Sequence, residues 1–184
     1  MLYLITGNRD KFVEFKFILK DVDIRRLDVE LSEMQDVNPR NIIRAKLVEG
    51  LRHKRGDIAV EDTSLHLRCM KGMPGPLVKW FLKSIGAEGI YRIADGFGDY
   101  SAEARCTIGY AAPKGGVHFF EGRVSGKVVS PRGTNGFGWD VIFVPKGHSK
   151  TFGEMSFEEK NSISHRRLAI DKLSTFLAES NKRR

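Results

Sequence analysis

Apolar residues in the first half of the chain recur with periods that predict alternating strands and helices. The segment LYLIT, residues 2–6, is almost wholly apolar, which is typical of a short buried strand. Residues 8–20 then place phenylalanine and leucine at helical spacing, and Asn8 can cap the resulting helix. The dipeptide Asn38-Pro39 predicts the start of a second helix, because asparagine is favoured as a cap and proline in the first position.

The rest of the chain carries both strand and helix patterns. A short strand is predicted at 57–62, a helix closed by Gly86 at 76–86, and three further strands at 101–112, 116–129 and 139–145. Asn135-Gly136 resembles a hairpin turn before the last of these strands. Ser156 begins a capping box for a final helical segment, in which Ser164 could cap a separate helix. This order of elements indicates an α/β fold with a mixed sheet.

Composition narrows the class of partner. The chain has 184 residues, enough for one domain with a substantial core. Hydrophobic residues make up 41% and charged residues 29%, as in soluble globular proteins. The formal net charge of +8 favours an anionic partner such as nucleic acid, an anionic membrane or a phosphorylated small molecule. Solubility alone would also account for this charge.

The cysteines and the N-terminus bear on location. Neither Cys69 nor Cys106 lies in a CxxC pair or near a histidine at zinc spacing, and two such thiols suit a reducing cytoplasm. The apolar start is too short for a signal peptide, and no run approaches the roughly 18 apolar residues of a membrane span. We therefore expect a cytoplasmic protein with no membrane partner.

The first candidate site is the segment TGNRDK at a predicted strand-to-helix junction. Its residues are Thr6, Gly7, Asn8, Arg9, Asp10 and Lys11. Amides at a helix N-terminus favour an anion, and Lys11 lies one turn into the helix, within reach of it. The segment lacks the spacing of a P-loop, and an ordinary capped turn is the alternative interpretation.

The second candidate is the acid pair in VEDTSL, residues 60–65. Glu61 and Asp62 end a predicted strand, where ligands gather in α/β sheets, and neighbouring strand residues point to opposite faces. A carboxylate there could bind Mg²⁺ together with substrate phosphates, or accept a proton from an attacking water. Solvated acids at a strand end are the alternative. Glu33 and Asp36 are further candidates from a loop.

Two later segments add cations and rings. In EKNSISHRR, residues 159–167, Lys160, His165 and Arg166 could donate hydrogen bonds to a base or to phosphates, and Lys79 adds a cation from another helix. The segment GFGWD offers a stacking slot for a nucleobase through Phe137, Gly138 and Trp139, with Asp140 as an acceptor. The alternative places one of the rings in the core. Together the four segments predict a nucleotide-handling enzyme.

The chain resembles the inosine triphosphate pyrophosphatases, a family that acts on deaminated purine nucleotides. The resemblance rests on six ordered motifs: TGNxxK (6–11), VEDTSL (60–65), MPGPLVKWFL (73–82), VVSPRG (128–133), GFGWD (136–140) and EKNSISHR (159–166). It implies hydrolysis of ITP, dITP and XTP to the monophosphate and pyrophosphate with Mg²⁺. It also implies a single domain over 1–184, with an elongated mixed β-sheet flanked by helices and two lobes with a central substrate cleft. The implied partner is a second copy in a homodimer, without nucleic acid.

The resemblance also assigns residue roles. By motif, Thr6–Lys11 would hold the triphosphate, with Asp62 the proton acceptor and a metal ligand. Glu33 would be the second metal carboxylate, a match that requires a one-residue gap. The remaining substrate contacts implied are Lys46, Thr63, Lys79, Phe137, Gly138, Trp139, Asp140, Lys160, His165 and Arg166.

One position departs from the family pattern, and two other functions stay open. Val141 stands where the family usually has proline after GFGWD, which predicts altered pocket rigidity with activity retained. A related pyrophosphatase for pyrimidine or modified nucleotides has the same parts. A basic nucleic-acid-binding module would explain the charge, but it gives no reason for Glu33, Glu61 and Asp62.

Overall fold

The computed structural model describes residues 1–32, 34–112 and 116–182. Glu33, the expected second metal carboxylate, lies outside the described residues. The strands are β1 (Leu2–Ile5), β2 (Ile24–Leu27), β3 (Asp57–Leu67), β4 (Pro74–Gly75), β5 (Ser101–Ala111), β6 (Val117–Val128) and β7 (Phe143–Pro145). The helices are α1 (Arg9–Ile18), α2 (Pro39–His53), α3 (Val78–Phe97), α4 (Phe157–Ile163) and α5 (His165–Lys182), with one 3₁₀ turn at Asp140–Ile142.

The helix starts follow the local signals. The side chain of Asn8 accepts the backbone N–H of Lys11 at 3.0 Å, and that of Asn38 accepts the N–H of Arg40 at 3.0 Å. Ser156 forms the predicted capping box. Ser164 is extended and separates α4 from α5. These helix boundaries are confirmed.

The described strands form a mixed sheet in the order β2-β1-β3-β5-β6-β7, with β4 paired to β3. Strand β1 runs parallel to both β2 and β3, whereas β4 is antiparallel to β3 and β7 is antiparallel to β6. The parallel pairs require the helical crossovers α1 and α2, so the predicted α/β class is confirmed.

The structure differs from the sequence prediction in β2, β3 and α3. Strand β2 was missed. Strand β3 continues five residues past Asp62, because Leu65 and Leu67 keep the apolar alternation and are fully buried. Gly86 interrupts α3 at a φ of 69°, but the helix resumes to Phe97.

The predicted hairpin at Asn135-Gly136 is wrong, as is most of the strand that was to follow it. Asn135 instead donates its backbone N–H to the carbonyl of Gly153 at 2.9 Å and its side-chain amide to the carbonyl of Met155 at 3.0 Å. The segment therefore pairs with a distant loop. Only Phe143–Pro145 of the predicted strand is extended.

The chain packs as two compact units. Unit 1 consists of Met1–Asp62, Cys106–Gly122 and Arg166–Arg184, and unit 2 of Thr63–Arg105 and Arg123–His165. Unit 1 has two core clusters, built largely on β1, β3 and β5 with residues of α1, α2 and α5. The core of unit 2 gathers apolar residues of α3 around those of β3, β5 and the 139–155 segment. No helix in the described part of the chain is both long and apolar enough to cross a membrane.

Candidate active site

The turn between β1 and α1 is fixed by hydrogen bonds, and its backbone is exposed at Gly7. Thr6 accepts the N–H of Asn8 on its hydroxyl at 3.1 Å, while Arg26 donates to the carbonyl of Thr6 at 3.0 Å. Gly7 is exposed and has no positive φ, and a Cβ placed on it would meet nothing within 4 Å. A left-handed backbone conformation therefore does not explain this glycine. The open backbone leaves space for a ligand at the helix N-terminus.

A buried network of four charged side chains lies beside this turn in unit 1. Arg166 donates two hydrogen bonds to Glu61, from Nε at 2.9 Å and Nη2 at 3.1 Å, and a third from Nη1 to Glu14. The ammonium of Lys11 lies 3.2 Å from Oε1 of Glu61, the oxygen that also accepts from Nη2 of Arg166. The side chains of Glu61 and Arg166 are each 1% exposed, whereas that of Lys11 is 19% exposed.

The electrostatics of the network follow from its pairing. Burial alone would raise the pKa of Glu61, but the charges and hydrogen bonds of Arg166 and Lys11 outweigh it and lower the pKa to about 2. The two carboxylates and two cations of the network balance in formal charge, so each buried charge has a partner of opposite sign. Its one solvent-accessible member is Lys11, whose ammonium is thereby fixed next to the open turn.

This network changes the expected role of Arg166. Arg166 was expected in a base pocket beside His165, but the two neighbours belong to different units. The described contacts of the Arg166 guanidinium are with Glu61 and Glu14, and the residue is 1% exposed. Glu14 was missed by the sequence analysis. The signal available was a glutamate one turn after Lys11 and adjacent to the buried Phe15.

Asp62 lies on the opposite side of β3 from Glu61, as the strand alternation requires. Its Oδ1 atom is 3.8 Å from the ammonium of Lys46, and the two side chains are 15% and 21% exposed. The structure therefore brings together two predicted site residues, and it leaves Asp62 as the accessible member of the acid pair. Thr63 follows as the first residue of unit 2 and is partly buried.

The residues around Asp62 can be compared with the ligands that a divalent metal ion requires. Within the residues described, no three histidine, cysteine or acidic side chains cluster as a metal site would require. Glu61 is held by two cations, whereas the Asp62 side chain is 15% exposed and lies beside Lys46. Mg²⁺ usually keeps several waters and takes one or two carboxylates plus phosphate oxygens, which fits a site with one accessible carboxylate.

In unit 2, the GFGWD loop is organised by a second buried ion pair. Lys160 lies 2.6 Å from Oδ2 of Asp140, both side chains being 4% exposed, and the same oxygen accepts the N–H of Phe137 at 2.9 Å. Gly136 has a φ of 73°, and a Cβ on it would lie 2.3 Å from this oxygen. The interpretation of Asp140 as a reader of the base edge is not supported by these contacts, in which the carboxylate holds the loop and Lys160.

The two aromatic residues of the loop differ in how deeply they are buried. Trp139 is 6% exposed and packs edge-to-face on Phe143 at 5.7 Å and against His165 at 5.2 Å. The alternative of a core ring is thus confirmed for Trp139. Phe137 is partly exposed, beside the exposed Gly138, and lies under the Lys160 ammonium at 4.7 Å from its ring centroid.

Four other residues were singled out from the sequence: Lys79, Val141, Cys69 and Cys106. Lys79 is exposed on α3, with its ammonium 5.7 Å from the Trp80 ring. Val141 is the middle residue of the 3₁₀ turn, packs against the core of unit 2, and accepts the backbone N–H of Arg132 at 2.8 Å. Cys69 and Cys106 are free, and burial raises the pKa of Cys106 well above its usual value.

The mixed sheet, the open βα turn and the fixed lysine beside it define an α/β protein equipped to hold a phosphorylated ligand. The family model of the Ham1 family matches residues 2–176, and the chain belongs to this family. The family membership expected from the six motifs is confirmed by curated relatives named inosine triphosphate pyrophosphatase.

The relatives and solved structures match over nearly the whole chain. The Schizosaccharomyces pombe inosine triphosphate pyrophosphatase is 45% identical over 98% of this chain and 96% of its own, and the Yarrowia lipolytica one 42% over 95% and 94%. The Staphylococcus aureus Ham1 protein superposes with a TM-score of 0.83 at 26% identity, over 98% of this chain and 100% of that one. A nucleoside-triphosphatase / dITP/XTP pyrophosphatase from Mycobacterium abscessus gives 0.72 at 25%, over 94% and 98%.

Proposed function

We propose that this protein hydrolyses ITP, dITP and XTP to the monophosphate and pyrophosphate, and so clears deaminated purines from the nucleotide pool. The names of its relatives support the substrate class. The observation that carries the proposal is that the two neighbouring acids have different surroundings. Glu61 is buried and holds Lys11, while Asp62 is accessible next to Lys46.

Unit 1 supplies the groups proposed for the phosphates. The open turn Thr6–Lys11 presents its backbone to an anion at the start of α1, and Lys11 and Lys46 add two positive charges. Arg166 and Glu61 act as positioning residues, because they fix the ammonium of Lys11 without themselves being accessible. Holding a cation in advance lowers the cost of orienting it on the developing charge of the transition state.

Asp62 is the proposed proton acceptor and metal ligand. Its carboxylate can take the proton of a water that attacks the α-phosphorus, after which pyrophosphate leaves. Mg²⁺, when bound, neutralises phosphate charge and favours in-line displacement. Asp62 would hold it, and Glu33 stays a proposed second ligand. The ammonium of Lys46, 3.8 Å from Oδ1, attracts the Asp62 carboxylate and helps to orient it.

Unit 2 supplies the groups proposed for the base. Phe137 is the partly exposed ring of the loop, and Gly138 beside it leaves the ring face accessible. Lys160 and His165 are donors suited to the O6 acceptor of hypoxanthine and xanthine, where adenine carries an amino donor. An adenine amino group facing donors leaves polar groups unpaired, which rejects ATP more strongly than shape does. Thr63 and Lys79 remain proposed substrate contacts.

A nucleotide panel tests the proposal directly. ITP, XTP, dITP, ATP, GTP, dTTP and UTP are each incubated with the protein and Mg²⁺, and the products are identified by chromatography. We expect monophosphate and pyrophosphate from ITP, dITP and XTP. Release of orthophosphate alone would show cleavage of the γ-phosphate and contradict the proposal. A preference for pyrimidine nucleotides above about tenfold would replace this assignment with the related pyrophosphatase.

Two variants test the residue roles. Asp62→Asn is expected to fold and to lose about 100-fold or more in kcat, the usual effect of removing a general base. Asp171→Asn, in an exposed pair with Arg167, is the matched control. His165→Gln is expected to raise the ATP to ITP ratio of kcat/KM, with His53→Gln on the exposed end of α2 as control. An unchanged ratio would remove His165 from the base pocket.

Assembly and location are also proposals. The resemblance implies a homodimer, which sedimentation velocity tests. The two free thiols suit a cytoplasmic location. The absence of a nucleic-acid partner is tested by oligonucleotide binding over a salt series, because a nucleic-acid module would show a steep salt dependence.

A further inference from the structure

Unit 2 carries a separate concavity on its sheet. In β3 and β5, Leu65, Leu67 and Ala104 are buried in the core, while residues at alternate positions line a cavity of about 680 Å³. Residues of β6, β7 and the following loop complete the lining, which includes none of the residues expected to bind substrate. This volume is within the range of small-molecule sites.

The lining has a surplus of positive charge. Its cations are Arg68, Arg105, Lys127 and Lys146, and its one carboxylate is Glu103. Glu103 pairs with Arg105, and Asp99 near the rim pairs with Arg68 at 2.7 Å. Lys127 and Lys146 have no ion-pair partner within the described part of the chain. The wall therefore has a net positive charge, and a concave positive surface attracts anions.

A histidine in the same wall reports this environment. His66 hydrogen-bonds through Nε2 to the hydroxyl of Ser64 at 2.9 Å. Burial and the positive charge of Arg105 lower the pKa of His66 to about 4. The imidazole is therefore neutral at physiological pH, so arginine and lysine supply the positive charge, while the imidazole offers a polar contact that does not titrate there.

The chemistry of the lining selects the kind of anion. It contains no phenylalanine, tyrosine or tryptophan, and its only aromatic rings are the small imidazoles of His66 and His148, so it offers a nucleobase little surface for stacking. A second copy of the same face would bring its unpaired lysines against these, and like charges disfavour that contact. The pocket is a concavity of about 680 Å³, a size that suits a compact ligand better than an extended strand.

We propose that this cavity is a binding site for a compact condensed-phosphate anion, inorganic pyrophosphate or tripolyphosphate. Lys127 and Lys146 are the principal contacts, and Ser101 and Ser125 supply neutral hydroxyl donors from the same wall. The site stands apart from the residues proposed for hydrolysis. It does not require that the protein turn over any nucleotide.

Titration calorimetry with pyrophosphate tests the proposal on the full chain without metal. The variants are Lys127→Gln/Lys146→Gln for the cavity and Lys11→Gln for unit 1. Lys16→Gln/Lys83→Gln is the control, which removes the same charge from exposed helix positions outside the cavity. We expect two sites per chain in the wild type. The cavity variant should lose one of them, weakened about tenfold or more as expected for two lost charge contacts, and Lys11→Gln should lose the other. Hydrolysis of ITP by the cavity variant should stay within about twofold, since P–O cleavage does not use these lysines.

Several results would overturn the proposal. One is unchanged pyrophosphate binding in the cavity variant, and another is an equal loss in the Lys16→Gln/Lys83→Gln control. A third is a cavity variant that changes oligomeric state while its pyrophosphate binding is unaltered, which would make the face a subunit interface. Tighter binding of a single-stranded oligonucleotide than of pyrophosphate, lost in the same variant, would assign the face to nucleic acid.

Discussion

Replacing Glu61 by glutamine tests the buried network with one nearly isosteric change. Glutamine keeps the size of the side chain but removes the negative charge between Arg166 and Lys11. Glutamate has an ordinary pKa of 4.5, and the network lowers it to about 2. At about 1.4 kcal/mol per pKa unit, the charged form is favoured by about 3 kcal/mol in the folded protein. We therefore expect Glu61→Gln to lower the free energy of unfolding by about 3 kcal/mol at neutral pH, within the usual range for breaking a buried pair.

The pH dependence gives the prediction its sign. A carboxylate with a lowered folded pKa stabilises the protein fully above its unfolded pKa, and this contribution is lost as pH falls through the folded value. The difference between wild type and Glu61→Gln should therefore be largest above pH 4.5, shrink as pH falls, and vanish near about pH 2. Residual Arg166–Glu14 pairing remains in the variant.

Urea unfolding from about pH 2.5 to 7, followed by circular dichroism, measures this difference. Glu88→Gln is the control, because Glu88 forms an exposed i,i+4 pair with Arg92 and should change stability by no more than about 0.5 kcal/mol. A difference below about 1 kcal/mol for Glu61→Gln at neutral pH, or one that does not vary with pH, would refute the energetic role of the network.

Four further predictions concern unit 2. Gly133→Ala should destabilise the protein by about 2 kcal/mol or more, because φ is 83° and its Cβ would lie 2.1 Å from the carbonyl oxygen of Gly153. Gly96→Ala, helical and with nothing within 4 Å, should stabilise it by up to about 1 kcal/mol in the same thermal melt. Lys160→Met should cost about 3 to 5 kcal/mol and quench or shift tryptophan fluorescence, since it leaves a buried carboxylate uncompensated. The free energy of unfolding of the wild type should fall as pH falls from about 6.5 to 4, because the unfolded histidine takes up a proton more readily than the folded one. His66→Gln removes this histidine, so the free energy of unfolding of the variant should change less with pH in that range. A wild-type profile that rises towards low pH in this window would contradict the last expectation.

The helix boundaries could be predicted because their causes are local. Asn8, Asn38 and Ser156 each cap a helix through a hydrogen bond to a backbone N–H two or three residues away. The alternation in 101–112 likewise identified β5. Strand β2 was missed because it is only four residues long and carries two arginines. Its place beside β1 depends on pairing and not on its own pattern.

The candidate site, like the fold, could be predicted from the sequence only in part. The motifs identified the chemical groups and their order along the chain, and Lys46 does lie near Asp62. They did not identify which groups pair with each other. Arg166 binds a carboxylate 105 residues earlier in the chain, that of Glu61, to which the family resemblance assigned no role.

The sequence by itself determined the helix starts, the apolar strands and the family. The tertiary structure decided that Trp139 is a core residue, that Asp140 holds Lys160, and that Glu61 is buried while Asp62 is accessible. Capping and alternation depend on contacts within a few residues, so a single sequence displays them. Burial and ion pairing depend on which distant segments meet, and in this chain that is settled by the order of strands in the sheet.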